Sequence, residues 1–462
     1  MSTKSPMAAR WVAIMVGASA CNEPEISGTL PELLRARQDV DLVFEDPETE
    51  CAECHPQHVA EWQTSMHAYS ATDPVFHGLA EWGQSNTDGQ LGDFCVQCHA
   101  PVAAALGTAP VYLDASDNRW KQDTRNMGAV AQKGVSCDVC HSITDVIEPV
   151  NARGVYTPNG VRRATIEDPV QNTKHASTYS PLHHESRVCG MCHAVTNFNG
   201  VRLEETFPEW EASSFNGPGG KTCQDCHMPA YQGQAAKDGP TREVHRHTFV
   251  GVDVPLLSDF PGHDEALGLT IELLRSGLKA TAQLEPTEKK FKIHLKNEAG
   301  HAIPSGATAD RQLWVELIVR DAGGQVVFET GTLDSRGDLR DNDPRHTNQP
   351  GTDPQLIFYG QKMIEDVTTQ DPNSTRPARS VTGLWQATSA INYLLAPDSA
   401  EDREINLADL PAGTYTATYR LLFRTFPMYF LREVELRGNL DPTVKDRVPI
   451  AVLYEDTYNF SF

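Results

Sequence analysis

Hydrophobic patterning divides the chain near residue 268. Beyond that point Phe291-Lys-Ile-His-Leu-Lys296 alternates apolar with polar residues, and Trp314-Val-Glu-Leu-Ile-Val-Arg320 does so in part. A period of two is that of a strand with one face buried. Asp321-Ala-Gly-Gly324 supplies a turn before Gln325-Val-Val-Phe-Glu329, so this stretch predicts a hairpin. Leu410-Pro-Ala-Gly413 leads into a further strand from Thr414 to Arg424, and Pro427 precedes one short helix over Tyr429 to Leu436. Short β runs with Gly/Pro turns predict an all-β, immunoglobulin-like sandwich over 268–462.

Before residue 268 long apolar periodicity is scarce. Turn-forming clusters such as Thr157-Pro-Asn-Gly160 and Asn216-Gly-Pro-Gly-Gly220 predict short helices joined by loops. Glu61-Trp-Gln-Thr-Ser-Met-His67 is the clearest helical stretch. A segment this poor in apolar faces needs another source of core, and the cysteines supply one.

Five copies of Cys-x-x-Cys-His use ten of the eleven cysteines: Cys51, Cys54 and His55; Cys95, Cys98 and His99; Cys137, Cys140 and His141; Cys189, Cys192 and His193; and Cys223, Cys226 and His227. This is the attachment signature of c-type haem. Each cysteine sulfur adds to one haem vinyl group, and the adjacent imidazole becomes the proximal iron ligand. Zinc sites bring Cys-x-x-Cys in pairs, or with a separate histidine half-site, and redox dithiols occur singly. Neither pattern places a histidine directly after the second cysteine five times over. The motifs therefore predict five covalent haem c groups. They start at 51, 95, 137, 189 and 223, too irregularly for a solenoid, so one pentahaem cytochrome c domain is expected over 49–267.

Whether each iron receives a sixth ligand separates a carrier from a catalyst. Twelve histidines lie outside the motifs. His67 is the leading candidate; on a helix continuous from His55 it would lie about 18 Å away, so it would serve a neighbouring haem. His175, the His183-His184 pair and His247 follow. His77 is expected on a helix surface, and His294 on a strand. His301, in the Gly/Pro-rich loop Asn297 to Gly306, either crosses to the cytochrome part as a ligand or stabilises its loop, with the loop role favoured. Met66 and Met127 are available as thioether ligands, and no motif replaces its histidine by lysine.

Charge and the N-terminus add localisation. Asp plus Glu number 62 against 39 Lys plus Arg, a formal charge of −23, which argues against nucleic acid or an anionic membrane surface as direct partner. No apolar run reaches 18 residues. Lys4 and Arg10 precede an apolar stretch ending Gly17-Ala-Ser-Ala-Cys21, which predicts a secretory, lipoprotein-like signal over 1–21, with Cys21 as a lipid anchor and 22–48 as a linker. Haem attachment outside the bacterial cytoplasm requires export in any case. A periplasmic, outer-membrane or cell-surface location follows.

The flanks of the motifs also carry a resemblance. Glu61-Trp62 with Ser65-Met-His67-Ala68, Phe94-Cys-Val-Gln-Cys-His-Ala-Pro101, Gly134-Val-Ser-Cys-Asp-Val-Cys-His-Ser142 and Cys223-Gln-Asp-Cys-His-Met-Pro229 are similar to the haem sites of multihaem cytochromes of the c554 (c-552/4) type. The resemblance spans about 49–265. It implies a distal role for His67 and an electron-carrier function, although this chain has five motifs where c554 has four. Asn297-Glu-Ala-Gly-His-Ala-Ile-Pro-Ser-Gly306 and Arg311 look like the β-sandwich appended to some large multihaem cytochromes. The expectation is a pentahaem carrier between redox proteins, such as other cytochromes or a membrane quinol or oxidoreductase complex. Its rivals are a reductase or oxidase of small nitrogen or sulfur compounds with one open haem, and a docking subunit of a larger cytochrome complex.

Overall fold

The computed structural model describes residues 43–341, 352–370 and 374–462. The expected signal, Cys21 and residues 22–42 of the linker lie outside the described residues.

In the first half four motifs sit on or beside short helices: Val96–His99, Cys137–His141, Arg187–Gly190 and Cys223–His227. The first motif differs. Its Cys51 closes the helical turn Pro47–Cys51, and Cys54, like Cys192 of the fourth motif, lies in a non-helical turn. Two-stranded ribbons connect the motifs, such as Val111–Asp114 paired with Arg119–Gln122. The helix expected to run through His67 is broken. Helix α1, Pro56–Gln63, ends at Thr64, and α2, Met66–Tyr69, starts anew behind Ser65. Ser65 is extended and its hydroxyl accepts from the Ala68 N–H at 3.3 Å, so a good capping residue diverts the chain.

Helix α3, Pro74–Asn86, begins with Asp73 as its cap, accepting from the Val75 N–H at 2.9 Å. Burial raises the Asp73 carboxyl to about 7; the Val75 bond opposes this and Asp253 adds to it. An acid whose value is higher when folded binds protons more tightly in the native state, so stability falls as pH rises from about 4 to about 7. Asp73→Asn keeps a capping oxygen and cannot ionise. It should exceed wild type by on the order of 3 kcal/mol near neutral pH and above, and by little at about pH 4, as measured by urea denaturation at both pH values.

In the second half, helix α4, His263–Gly277, contains residue 268 and runs directly into strand β1, Leu278–Glu285. Strand β2, Lys290–Asn297, buries Phe291, Ile293, Leu295 and Asn297 and turns Lys290, Lys292, His294 and Lys296 outward, the period of two at work. The remaining strands are β3 Gln312–Asp321, β4 Val326–Thr330, β5 Phe358–Glu365, β6 Arg379–Ser380, β7 Ser389–Tyr393, β8 Ala400–Asn406, β9 Thr414–Arg424 and β10 Ala451–Ser461. One antiparallel sheet has the order β1-β2-β8. The other runs β6-β5-β3-β9-β10, with β4 on β3 and β7 on β5. Leu278, Phe291 and Ile405 of the first sheet share a core with Leu313, Leu317, Leu421 and Leu453 of the second, which makes the pair a sandwich.

The sandwich carries helix α5, Met428–Gly438, which packs on α3 of the first half. Val75 of α3 shares a core with Phe430 and Val434 of α5. Trp82 and Trp385 meet edge to face at 5.1 Å, and the Trp385 N–H donates to Asn86. Asn197 ties the same joint: its amide donates to the Leu384 and Ala387 carbonyls at 2.9 and 2.8 Å, and its oxygen accepts from the Asn199 and Val201 N–H groups. Asn197→Ala removes the acceptor of the buried Val201 N–H and the ties to Leu384 and Ala387, whose carbonyls keep only the Ala387 N–H and the Asn199 amide. The expected loss is about 1–3 kcal/mol by chemical denaturation.

Candidate haem sites

Four of the motif imidazoles are oriented from behind. His55 Nδ1 donates to the Ala235 carbonyl at 2.6 Å, His141 to Arg163 at 2.7 Å and His227 to Val250 at 2.8 Å. His193 bonds the Glu204 carboxylate at 2.9 Å, and His99 lies against Ser70, whose hydroxyl donates to the His99 carbonyl at 2.7 Å. An Nδ1 that donates a proton leaves Nε2 with a free lone pair, the state an iron ligand needs.

Four of the five face a second imidazole. Ring centroids are 6.2 Å apart for His55 and His175, 6.3 Å for His141 and His247, 6.3 Å for His193 and His67, and 6.4 Å for His227 and His301. Two metal–nitrogen bonds of about 2 Å each, plus the depth of each ring behind its nitrogen, span roughly 6 Å, so the pairs fit an iron between them. His175, His247 and His301 also turn Nδ1 onto backbone carbonyls, of Ala176, His245 and Ala302, leaving Nε2 free.

The other candidates are placed differently. His183 lies 6.1 Å from His141, but its Nδ1 meets Ser180 and its Nε2 meets the Cys140 carbonyl, so neither nitrogen is spare. His184 lies against Tyr179, 6.0 Å between ring centroids. His77 is half-buried and bonds Thr124, rather than standing on a helix surface. His294 pairs with Asp402 on the exposed face of β2. Around His99 the stacked ring is Phe76, 4.8 Å away and within 1° of parallel. Among the described residues no second imidazole faces His99 at the spacing of the other four.

Burial lowers His67 and His247 to about 3, helped by neighbouring imidazoles, and lowers His141 and His301 to about 4. These rings are neutral at physiological pH, as ligation demands. His193 departs from them: burial lowers it, but the hydrogen bond and charge of Glu204 outweigh that and lift it to about 9. A carboxylate behind a ligating imidazole raises its basicity.

Thiols of different motifs meet. Cys51 lies beside Cys137, Cys98 beside Cys192, and Cys189 beside Cys223, all of them free thiols. Cys140 lies within electrostatic reach of Cys192. The first motif thus adjoins the third and the third the fourth, where the second and fifth also join.

Cys54, expected from the motif to carry a thioether of the first haem, lies in a non-helical turn, as does Cys192 of the fourth motif. Its counterparts Cys98, Cys140 and Cys226 are helical, whereas Cys54 is fixed in its turn by backbone bonds. The Cys54 N–H donates to the Cys51 carbonyl at 3.2 Å, and the Cys54 carbonyl accepts from the Lys237 N–H at 2.7 Å. Ala235 and Lys237 therefore hold His55 and Cys54 from one loop, which replaces the helix as the support of this motif. The Cys54 side of the residue stays half-buried.

Residues 62–216, which hold the second, third and fourth motifs, match the family described as Cytochrome c552. The matched region is that of a multihaem c-type cytochrome. The fold of the chain is similar to that of a penta-heme cytochrome c552 from Thermochromatium tepidum, at 20% identity and a TM-score of 0.59, over 90% of this chain and 99% of that one. Coverage of that extent takes in both halves. No curated protein matches the chain. The cofactor of the cytochrome is haem c and its activity is electron transfer.

Several groups that shape these sites left no signal in the sequence. The carbonyls of Ala235, Arg163 and Val250 are backbone, and any residue supplies one. Glu204 is one acid among 62, distinguished only by strand Arg202–Glu204 pairing beside His193.

Proposed function

We propose that the chain is an exported pentahaem cytochrome that passes electrons between redox proteins. Its haems are held by Cys51, Cys54 and His55; Cys95, Cys98 and His99; Cys137, Cys140 and His141; Cys189, Cys192 and His193; and Cys223, Cys226 and His227. Haem c supplies, when bound, an iron that takes up and gives back one electron. The observation that carries the reading is the set of four imidazole pairs. His175, His247, His67 and His301 close the second face of the first, third, fourth and fifth sites, which favours a carrier over a catalyst there. Contact between thiols of neighbouring motifs supports a continuous route with its junction at the fourth motif.

Residues 49–267 form the cytochrome part in this reading, and 268–462 a sandwich that shields it and docks partners. The formal charge of −23 suits basic or neutral redox proteins, other cytochromes or a membrane quinol or oxidoreductase complex among them. Export to the periplasm or cell surface, with lipidation at Cys21, completes the proposal. Among the described residues no helix is long and apolar enough to cross a membrane.

A second reading rests on His99. With no opposing imidazole among the described residues, its site either takes a thioether, with Met127 buried in the same apolar cluster as Val96 and Ala100, or keeps an open face for a small substrate. Haem quantification and low-temperature EPR of the oxidised holoprotein test both. The expected result is five haems per chain, four of them low-spin with two histidines each. A fifth low-spin haem of a different type supports the carrier. A high-spin signal from that haem that shifts with nitrite or hydroxylamine defeats the pure carrier, and fewer than five haems defeats the assignment of sites.

A further inference from the structure

The segment from His245 to Gly251 touches three of the histidine pairs at once. His247 faces His141. The Phe249 ring lies 4.5 Å from the ring of His67 and 5.6 Å from that of His247. The Val250 carbonyl accepts from His227. These contacts lie within four consecutive residues because the backbone turns sharply at Phe249, whose φ is 45°. That left-handed conformation is disfavoured for a residue with a side chain, and a glycine there would adopt it freely.

The segment is clamped from both halves of the molecule. Before the turn, the Glu61 carboxylate of α1 accepts from the His247 N–H at 2.9 Å. After it, the Thr270 hydroxyl of α4 donates to the Gly251 carbonyl, and the Thr425 hydroxyl that follows β9 donates to Val252. Arg311 pairs with Asp253 at 2.9 Å. The Phe249 ring thus stands between two imidazoles that face different motifs, at a backbone position that disfavours a side chain.

We propose that Phe249 is a positioning residue for electron transfer: its ring holds His67 and His247 towards His193 and His141. The same turn aims the Val250 carbonyl at His227. This rests on the reading of those pairs as axial ligands. Loss of the ring lets both imidazoles tilt, so the fourth and third haems change together while the first does not.

The test uses the mature holoprotein. Phe249→Gly keeps the turn and removes the ring; Phe249→Tyr keeps both. Low-temperature EPR of the oxidised Phe249→Gly variant should show unchanged haem content and altered g-values for low-spin signals amounting to two of the five haems. The midpoint potentials of those two should shift with them. Phe249→Tyr should retain the wild-type spectrum. A glycine variant with the wild-type spectrum overturns the proposal, as does a tyrosine variant that departs as far as the glycine one. If the glycine chain does not mature, Phe249→Leu decides by the same comparison. His67→Ala and His247→Ala are read separately: if neither produces a high-spin haem, the ligand reading fails, whatever Phe249 does.

Discussion

Replacing His301 with alanine is expected to convert one of the five haems from low-spin to high-spin. His301 reaches His227 from a loop of the sandwich, and its ring lies 6.4 Å away at an angle of 20°. The loop is seated on the cytochrome half by the Ala302 N–H on the Glu209 carboxylate at 2.9 Å and by the Ser305 and Thr206 hydroxyls at 2.8 Å. Thr206 also accepts from the Gly306 N–H. With the backbone held by these bonds, removal of the imidazole leaves no other histidine facing His227 among the described residues. The new signal should amount to one haem in EPR of the oxidised protein, and the reduced protein should bind carbon monoxide at that haem. A fully low-spin spectrum for His301→Ala would return His301 to the loop-stabilising role. The variant also separates two functions of the sandwich, since its docking bonds remain when the ligand is gone.

Gly438→Ala is the second large effect, and it acts on docking itself. A Cβ at 438 would stand 2.0 Å from the Gly78 oxygen and 2.6 Å from its carbonyl carbon, so α5 and α3 cross backbone to backbone. Alanine is the better helix former by about 1 kcal/mol, which on propensity alone predicts a gain. Overlap with a main-chain carbonyl reverses the sign, because neither backbone can move without opening the core of Val75, Phe430 and Val434. The expected net loss is about 1–3 kcal/mol by chemical denaturation, with faster proteolysis between the halves. Gly78→Ala should cost less, since its new methyl would meet the Val434 side chain most closely, at 2.6 Å, and the Gly438 carbonyl oxygen only at 3.3 Å. A Gly438→Ala protein as stable as wild type would show that the helices are not in contact.

The strands were the most legible part of the fold. Thr414 to Arg424 is a strand over that whole range, and the helix expected after Pro427 runs from Met428 to Gly438. Alternation is a local property, and a strand with one buried face displays it directly. Helix α4 was not legible as a link between the halves, because it contains residue 268, where the change in patterning had suggested a boundary. His67 shows a different limit. The window from Glu61 to His67 reads as one helical stretch, yet the cap at Ser65 redirects the chain, and a distance counted along one helix no longer applies. Cys54 and Cys98 hold the same place in identical motifs, yet one lies in a turn held by Lys237 and the other in a helix. His183 and His247 are equally plausible in sequence. They differ in the bonds their nitrogens make, with Ser180 and Cys140 for one and a single carbonyl for the other.

The sequence by itself determined the class of cofactor and the presence of a β-sandwich. Both depend on chemistry within a few residues: the spacing of two thiols and an imidazole, and the alternation of buried and exposed side chains. Only the tertiary structure decided which imidazoles face one another, which motif has no such partner among the described residues, and that a sandwich loop brings His301 to His227. These partners lie far apart in the chain. They meet through the packing of α3 on α5 and the bonds of Asn197, Glu209 and Glu61 to distant segments, and no local window of sequence contains both sides of such a contact.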